Sequence, residues 1–287
     1  MKEKTDTFFL IHNYNTVPDR LLEYCSRYLI MDASDDGKTK EALAAGGFCV
    51  QDVENTGHNI TSYFRWFAEH YDELPEVVLL GKGNMIGRHC SEEYFEKVYR
   101  NTWFTFLYEE AAMRPRYSKA TAKTLAENGG KDPSEGSIAS LLSQSRYLEE
   151  NNSWYMQTGT HPCRYFATLD DFLPFVYKDP VIPKYISFSP GACYIVRREQ
   201  IRLHSPQFYL NLNKVMDYTL DPAFPAEAYI VERLLPVIFE ESCEENAWMN
   251  DPDAFDEKLE EERKKREAAA AEDHRRFKRL RRLLKRP

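Results

Sequence analysis

Short apolar runs alternate with helical stripes over the first eighty residues. Phe8-Phe9-Leu10-Ile11-His12 is an apolar run closed by Asn13-Tyr14-Asn15, the pattern of a buried strand and its loop. Residues 18–26 are compatible with a helix that carries Leu21, Leu22 and Cys25 on one face. Tyr28-Leu29-Ile30-Met31 predicts a second strand that runs into Asp32-Ala33-Ser34-Asp35-Asp36-Gly37. Lys40 to Ala45 predicts a helix stopped by Gly46-Gly47, and Phe48-Cys49-Val50 a third strand. After Asn55-Thr56-Gly57, the residues Ile60, Tyr63, Phe64, Phe67 and Tyr71 share one helical face. Leu74-Pro75 ends that helix, and Val77-Val78-Leu79-Leu80 predicts a fourth strand.

Strand and helix alternating at this spacing predict βαβ units and a mostly parallel, Rossmann-like α/β sheet flanked by helices. In such sheets ligands bind beyond the carboxyl ends of the strands. The loops at 12–16, 32–37, 54–59 and 81–89 are therefore the places to look for a site.

The second half is less regular. Residues 114–153 are polar and rich in helix breakers, which predicts an insertion, a mobile lid or a disordered loop within a domain spanning 1–245. Ser187 to Val196 reads as strand, loop and strand around Pro190-Gly191-Ala192. Residues 206–219 and 226–239 read as helices. From Ala254 onward Glu, Lys, Arg and Ala dominate without a proline before Pro287, which predicts one long C-terminal helix over 254–287.

Charge changes the picture at that end. The 287-residue chain has a formal net charge of −8. Arg275, Arg276, Lys278, Arg279, Arg281, Arg282, Lys285 and Arg286 give the last fourteen residues +8, which leaves residues 1–273 at −16. Nucleic acid is thus not an expected partner. Phe277, Leu280, Leu283 and Leu284 share one face of the basic helix. Arg275, Arg276, Phe277, Arg279, Leu280, Arg282 and Leu283 are the expected contacts to an anionic membrane surface. A coiled-coil partner or an RNA-binding arm are the other readings of such a segment. No run approaches the roughly 20 apolar residues that span a bilayer. The six cysteines are scattered, with neither a C-x-x-C pair nor zinc spacing, which suits a reducing compartment. The expected location is cytoplasmic, with peripheral contact to the inner face of the membrane.

Candidate chemistry concentrates after the strands. Asn-x-Gly between a strand and a helix puts free backbone N–H groups at a helix N-terminus, which suits a phosphate or a sugar hydroxyl. It is equally an ordinary turn. Asp32 stands at a strand end, where a carboxylate can hold a ribose, and Asp35-Asp36-Gly37 reads first as a turn. Asp32, Asp35 and Asp36 could alternatively serve a metal-dependent phosphotransferase or hydrolase. Glu227, at a predicted helix start, is the candidate catalytic base, with Asp217 as competitor; helix-dipole compensation is the structural alternative for Glu227. Glu232-Arg233 reads as an ion pair.

Three blocks carry a resemblance. They are Asn55-Thr56-Gly57 with Glu69-His70-Tyr71-Asp72-Glu73-Leu74-Pro75-Glu76-Val77, then Pro190 to Ile201, then Glu227-Ala228-Tyr229-Ile230-Val231-Glu232-Arg233-Leu234-Leu235. In this order they resemble an uncharacterised glycosyltransferase-like family, within the broader likeness to GT-A glycosyltransferases. The resemblance implies transfer of a sugar from a nucleotide-sugar donor to a glycan or lipid-linked acceptor, in cell-surface polysaccharide synthesis. For such a transferase the expected donor contacts in this chain are Asn15, Asp32, Asn55, Gly57, His58, Lys82, Arg88 and His89. Two departures stand out. His58-Asn59 replaces the family's Arg-Glu, and Gly81-Lys82-Gly83-Asn84 stands where GT-A enzymes carry a metal-binding Asp-x-Asp. Cations in that loop can balance a diphosphate, so the expected transfer needs no divalent metal cofactor. A non-catalytic binding or assembly protein on the same fold is the alternative.

Overall fold

The computed structural model describes residues 2–109, 147–157, 162–218, 225–240 and 243–284. Its centre is a six-stranded sheet in the order β3-β2-β1-β4-β8-β5. The strands are β1 (Thr5–Asn13), β2 (Cys25–Asp32), β3 (Val50–Asp52), β4 (Val77–Lys82), β5 (Thr105–Phe106) and β8 (Tyr194–Arg197). β1 pairs in parallel with β2 and β4, and β2 with β3. β8 runs antiparallel between β4 and β5. Strands β6 (Tyr147–Glu150) and β7 (Tyr185–Phe188) form a separate antiparallel pair.

The inner strands are apolar on both faces because helices cover both, as buried parallel sheets require. Leu10, Val78, Leu80, Tyr194 and Val196 face one core, and Phe9, Ile11, Leu79, Cys193 and Ile195 the other. The first core is closed by α3 (His58–Glu69), α7 (Pro206–Met216) and α8 (Ala226–Glu240); α1 (Asp19–Leu22), α2 (Gly37–Ala45), α4 (Glu92–Val98), α5 (Leu169–Val176) and α6 (Arg198–Ile201) complete the shorter helices. The stripe read on α3 is the packed face. Phe64 and Phe67 meet the Tyr209 ring of α7 at 5.1 and 5.3 Å between centroids. Each fully buried aromatic of this kind contributes about 1.5–3 kcal/mol.

Several element bounds differ from the sequence reading, each for a local reason. The helix read over 18–26 is the four-residue α1, and Cys25 already begins β2 in register with Thr5. The third strand lies two residues later than expected, because Val50–Asp52 aligns with Ile30–Asp32. The polar stretch 114–153 falls mostly outside the described residues. Its end is ordered, for Tyr147–Glu150 is strand β6 and Glu149 is buried. Arg233 pins that strand to α8, with its Nε 2.5 Å from Glu149 Oε1.

The long helix α9 runs Pro252–Leu284, docked at its start by buried Phe255 and Leu259. Arg275 and Arg276 are exposed. The side chains of Phe277, Arg279, Leu280, Arg282 and Leu283 lie outside the described residues. No helix among the described residues is long and apolar enough to cross a membrane.

Candidate anion-binding cleft

An open cleft of about 190 Å³ lies at the carboxyl ends of β1 and β4, lined by residues of three loops. β2 lies on one side of β1 and β4 on the other, so the order of the parallel strands reverses here. That switch point is where open α/β sheets hold ligands. Its floor comes from neighbouring strand ends, because His12 and Lys82 are register partners in β1 and β4. Tyr14 and Thr16 come from the loop after β1, Asn55, His58 and Asn59 from the start of α3, and Gly83, Asn84 and Arg88 from the loop after β4.

Glycines let these loops approach. A Cβ on Gly83 would lie 2.3 Å from Asn13 Oδ1, so only glycine lets the β4 loop cross β1 this closely. Gly57 is left-handed at φ +56° and is followed by His58 at φ +58°. This double left-handed turn starts α3 with no side-chain cap and no acidic residue in the first turn. The positive end of the helix dipole therefore faces the cleft without an internal answer. Asn59 fixes the far wall, with its Nδ2 donating to Gly191 O at 2.9 Å.

The cleft is cationic within an acidic chain. None of the described residues lining it is acidic. Among the described residues, no carboxylate lies within ion-pair distance of Lys82 or Arg88, whereas Lys40, Lys97, Lys178, Lys214 and Lys258 are all paired. Burial lowers the Lys82 pKa from its ordinary value, and Arg88 lowers it further. Burial, then the Lys82 charge, pulls His12 down to about 3, so its imidazole is neutral. Its Nδ1 sits 3.2 Å from the Ser62 hydroxyl. Buried His89 is likewise held at about 3 by burial and by Lys82 and Arg88. Positive charge in the cleft thus resides on Lys82 and Arg88.

No protein-family model, curated protein or solved structure matches the chain.

Four of the eight expected donor residues line the cleft: Asn55, His58, Lys82 and Arg88. Gly57 shapes it through the α3 turn. His89 stands behind it, with its ring against Gly191, where a Cβ would come within 2.5 Å. Asn15 and Asp32 serve the framework instead. Asp32 is buried and accepts from Asn13 Nδ2 at 2.8 Å and from the Ser34 hydroxyl at 2.6 Å. Asn15 ties the β1 loop to the β2 loop, donating to Asp35 Oδ1 at 2.7 Å and accepting from the Asp35 and Asp36 N–H groups. Asp35 also accepts from the Tyr14 hydroxyl at 2.9 Å, which orients that half-exposed ring at the cleft rim. Asp36 caps α2 through Lys38 N–H. Among the described residues, no three His, Cys, Asp or Glu side chains group to hold a metal.

Neither base candidate lines the cleft. Glu227 is fully buried, and its Oε1 accepts from the N–H groups of Arg164, Tyr165 and Phe166 at 2.8, 2.7 and 3.2 Å. Its Oε2 accepts the Tyr218 hydroxyl at 2.5 Å. Four donors fix this carboxylate as the clamp of the 164–166 turn. Asp217 follows α7 and pairs with Arg65 at 3.5 Å.

Sequence reasoning missed His12, Tyr14, Thr16 and Asn59 as individual residues. The signal for His12 was present: it is a polar residue at the alternation position shared with buried Leu10.

Proposed function

We propose that the cleft is the donor site of a GT-A-like, nucleotide-sugar-dependent glycosyltransferase. The acceptor is a glycan or lipid-linked glycan, in cell-surface polysaccharide synthesis at the inner face of the membrane. The observation that carries this reading is a switch-point cleft with two cations, no acidic lining residue and an uncapped helix N-terminus. These are complementary to a diphosphate. The α3 N–H groups, Asn55 and Asn59 would orient the donor. Lys82 and Arg88 would neutralise the charge that develops on the departing diphosphate, a function supplied here by side chains rather than a divalent ion. The Tyr14 ring offers a flat apolar face at the rim for a base or sugar. The basic C-terminal helix would keep the protein at the surface that presents lipid-linked acceptors.

Hydrolysis of a panel of nucleotide sugars, with and without EDTA, tests this. Release of nucleoside diphosphate that EDTA leaves unchanged is expected. Loss of all activity in EDTA would contradict the metal-free part. A second reading, a non-catalytic nucleotide-binding or assembly protein, is favoured by one observation: the described lining residues include no carboxylate base. Nucleotide binding without turnover on any donor would select it.

A further inference from the structure

Glu232 lies on the face of α8 that looks toward the cleft. One turn before it, the Tyr229 ring meets cleft-lining His58 edge-on at 5.4 Å. Glu232 Oε1 accepts the Gly191 N–H at 2.7 Å. Gly191 O in turn accepts from cleft-lining Asn59 at 2.9 Å. The corner so held is left-handed at two successive residues, Gly191 at φ +95° and Ala192 at φ +54°. Glu232 therefore anchors the cleft's far wall.

Its charge has a second relation. Arg233 is the neighbouring cation, but its guanidinium is engaged by Glu149 at 2.5 Å and stacked between Tyr155 and Phe188, and stands 3.9 Å from Glu232. Lys82 is a second cation whose charge acts on Glu232. Strand alternation puts Lys82 on the face of β4 shared by Val78 and Leu80, the face packed by α3 and α8. A carboxylate just behind the cleft thus opposes the amine that the cleft presents.

We propose that Glu232 is a positioning residue of this cleft, serving as the internal counter-charge of Lys82 until a phosphate-bearing ligand takes that place. This rests on the reading of the cleft as an anion site. Bringing an anion to Lys82 adds negative charge near Glu232 and favours its protonated form. Ligand binding is then linked to proton uptake, and affinity rises as pH falls. Burial already pushes the Glu232 carboxyl up, and Arg233, Lys82 and the Gly191 N–H oppose it. The other titratable groups coupled to Glu232 are Glu149, Cys193 and Tyr194. Glu232→Gln keeps an acceptor for Gly191 N–H, so it removes the charge and leaves the anchor.

The test has two arms, both on the full chain. Urea melts of K82M, E232Q and the double variant need no ligand. The proposal expects K82M to be destabilised at pH 8 and E232Q to restore stability in the K82M background. Additive effects would overturn it. Calorimetric titrations with UDP-glucose and with sulfate, anions that do not titrate between pH 5.5 and 8, give the second arm. The wild type should bind about tenfold more tightly at pH 5.5 than at pH 8. E232Q should bind more tightly than wild type at pH 8 and lose most of that slope. E232Q binding more weakly, with the wild-type slope retained, would mean a structural role alone. Sulfate binding with this signature but no UDP-glucose binding leaves the proposal standing and overturns the donor reading. Binding of neither anion overturns both.

Discussion

At the scale of single residues, the cleft is defined by cations that no carboxylate holds in direct contact. Lys82 and Arg88 carry charge with no carboxylate in ion-pair reach among the described residues, whereas Glu227 is saturated by four donors. A charge-assisted hydrogen bond to phosphate is worth about 1.5–3 kcal/mol, so R88M should weaken nucleoside diphosphate binding by about tenfold or more. Calorimetry checks the affinity, and an unchanged melting temperature excludes misfolding. The neutral histidines give a pH dependence. His12 and His89 sit at about 3 in the folded chain against about 6.5 unfolded, so the unfolded state binds the extra protons. Their stabilisation is complete above about pH 6.5 and is lost as pH falls toward 3. Each group should cost on the order of 2 kcal/mol at pH 5. Urea melts at pH 7.5 and 5 should show this loss, reduced in H89Q. Lys82, Arg88, Asn55 and His58 were legible in the sequence because they follow strands in polar loops. His12 and Asn59 were not, because their place depends on the register of β1 with β4 and on the Gly57 turn. Glu227 illustrates the limit most clearly: its helix-start position is visible in sequence, but the donors of residues 164–166 that claim it are distant in the chain.

At the scale of elements, α3 is the part that joins fold to site. Its apolar stripe packs on the sheet and α7, and its N-terminus opens into the cleft. The turn that begins it requires glycine, for a Cβ on Gly57 would stand 2.3 Å from Thr61 Cγ2 and 2.9 Å from Met216 Cβ, at φ +56°. G57A should therefore lower stability by about 1–3 kcal/mol and shift the first turn of α3. Chemical denaturation measures the first effect, and reduced nucleotide affinity reports the second. The early strands and α3 were readable because their periodicity is strong. The two-residue β5 has no period to read. β6 lies at the end of a polar stretch, and its buried acidic residue, Glu149, makes sense only once Arg233 is placed beside it.

At the scale of the whole molecule, charge is divided. Residues 1–273 carry −16 and the last fourteen +8, while the cleft concentrates positive charge within the acidic body. If the tail is a membrane anchor, removing residues 274–287 should abolish binding to anionic liposomes in sedimentation assays and leave nucleotide binding intact. Equal sedimentation of the truncated chain would refute that role. The parallel sheet and its flanking helices followed from the alternation of strands and helices in the sequence. The antiparallel entry of β8 between β4 and β5 did not, because those pairings join segments about 90 to 120 residues apart. In the proposed function, the cleft holds a nucleotide-sugar diphosphate on Lys82 and Arg88. The most direct measurement is titration of nucleoside diphosphates and their sugars, in EDTA, into the wild type and the K82M/R88M double variant. The wild type should bind saturably, and the double variant should lose that binding. Equal binding by both proteins, or binding by neither, would contradict that function.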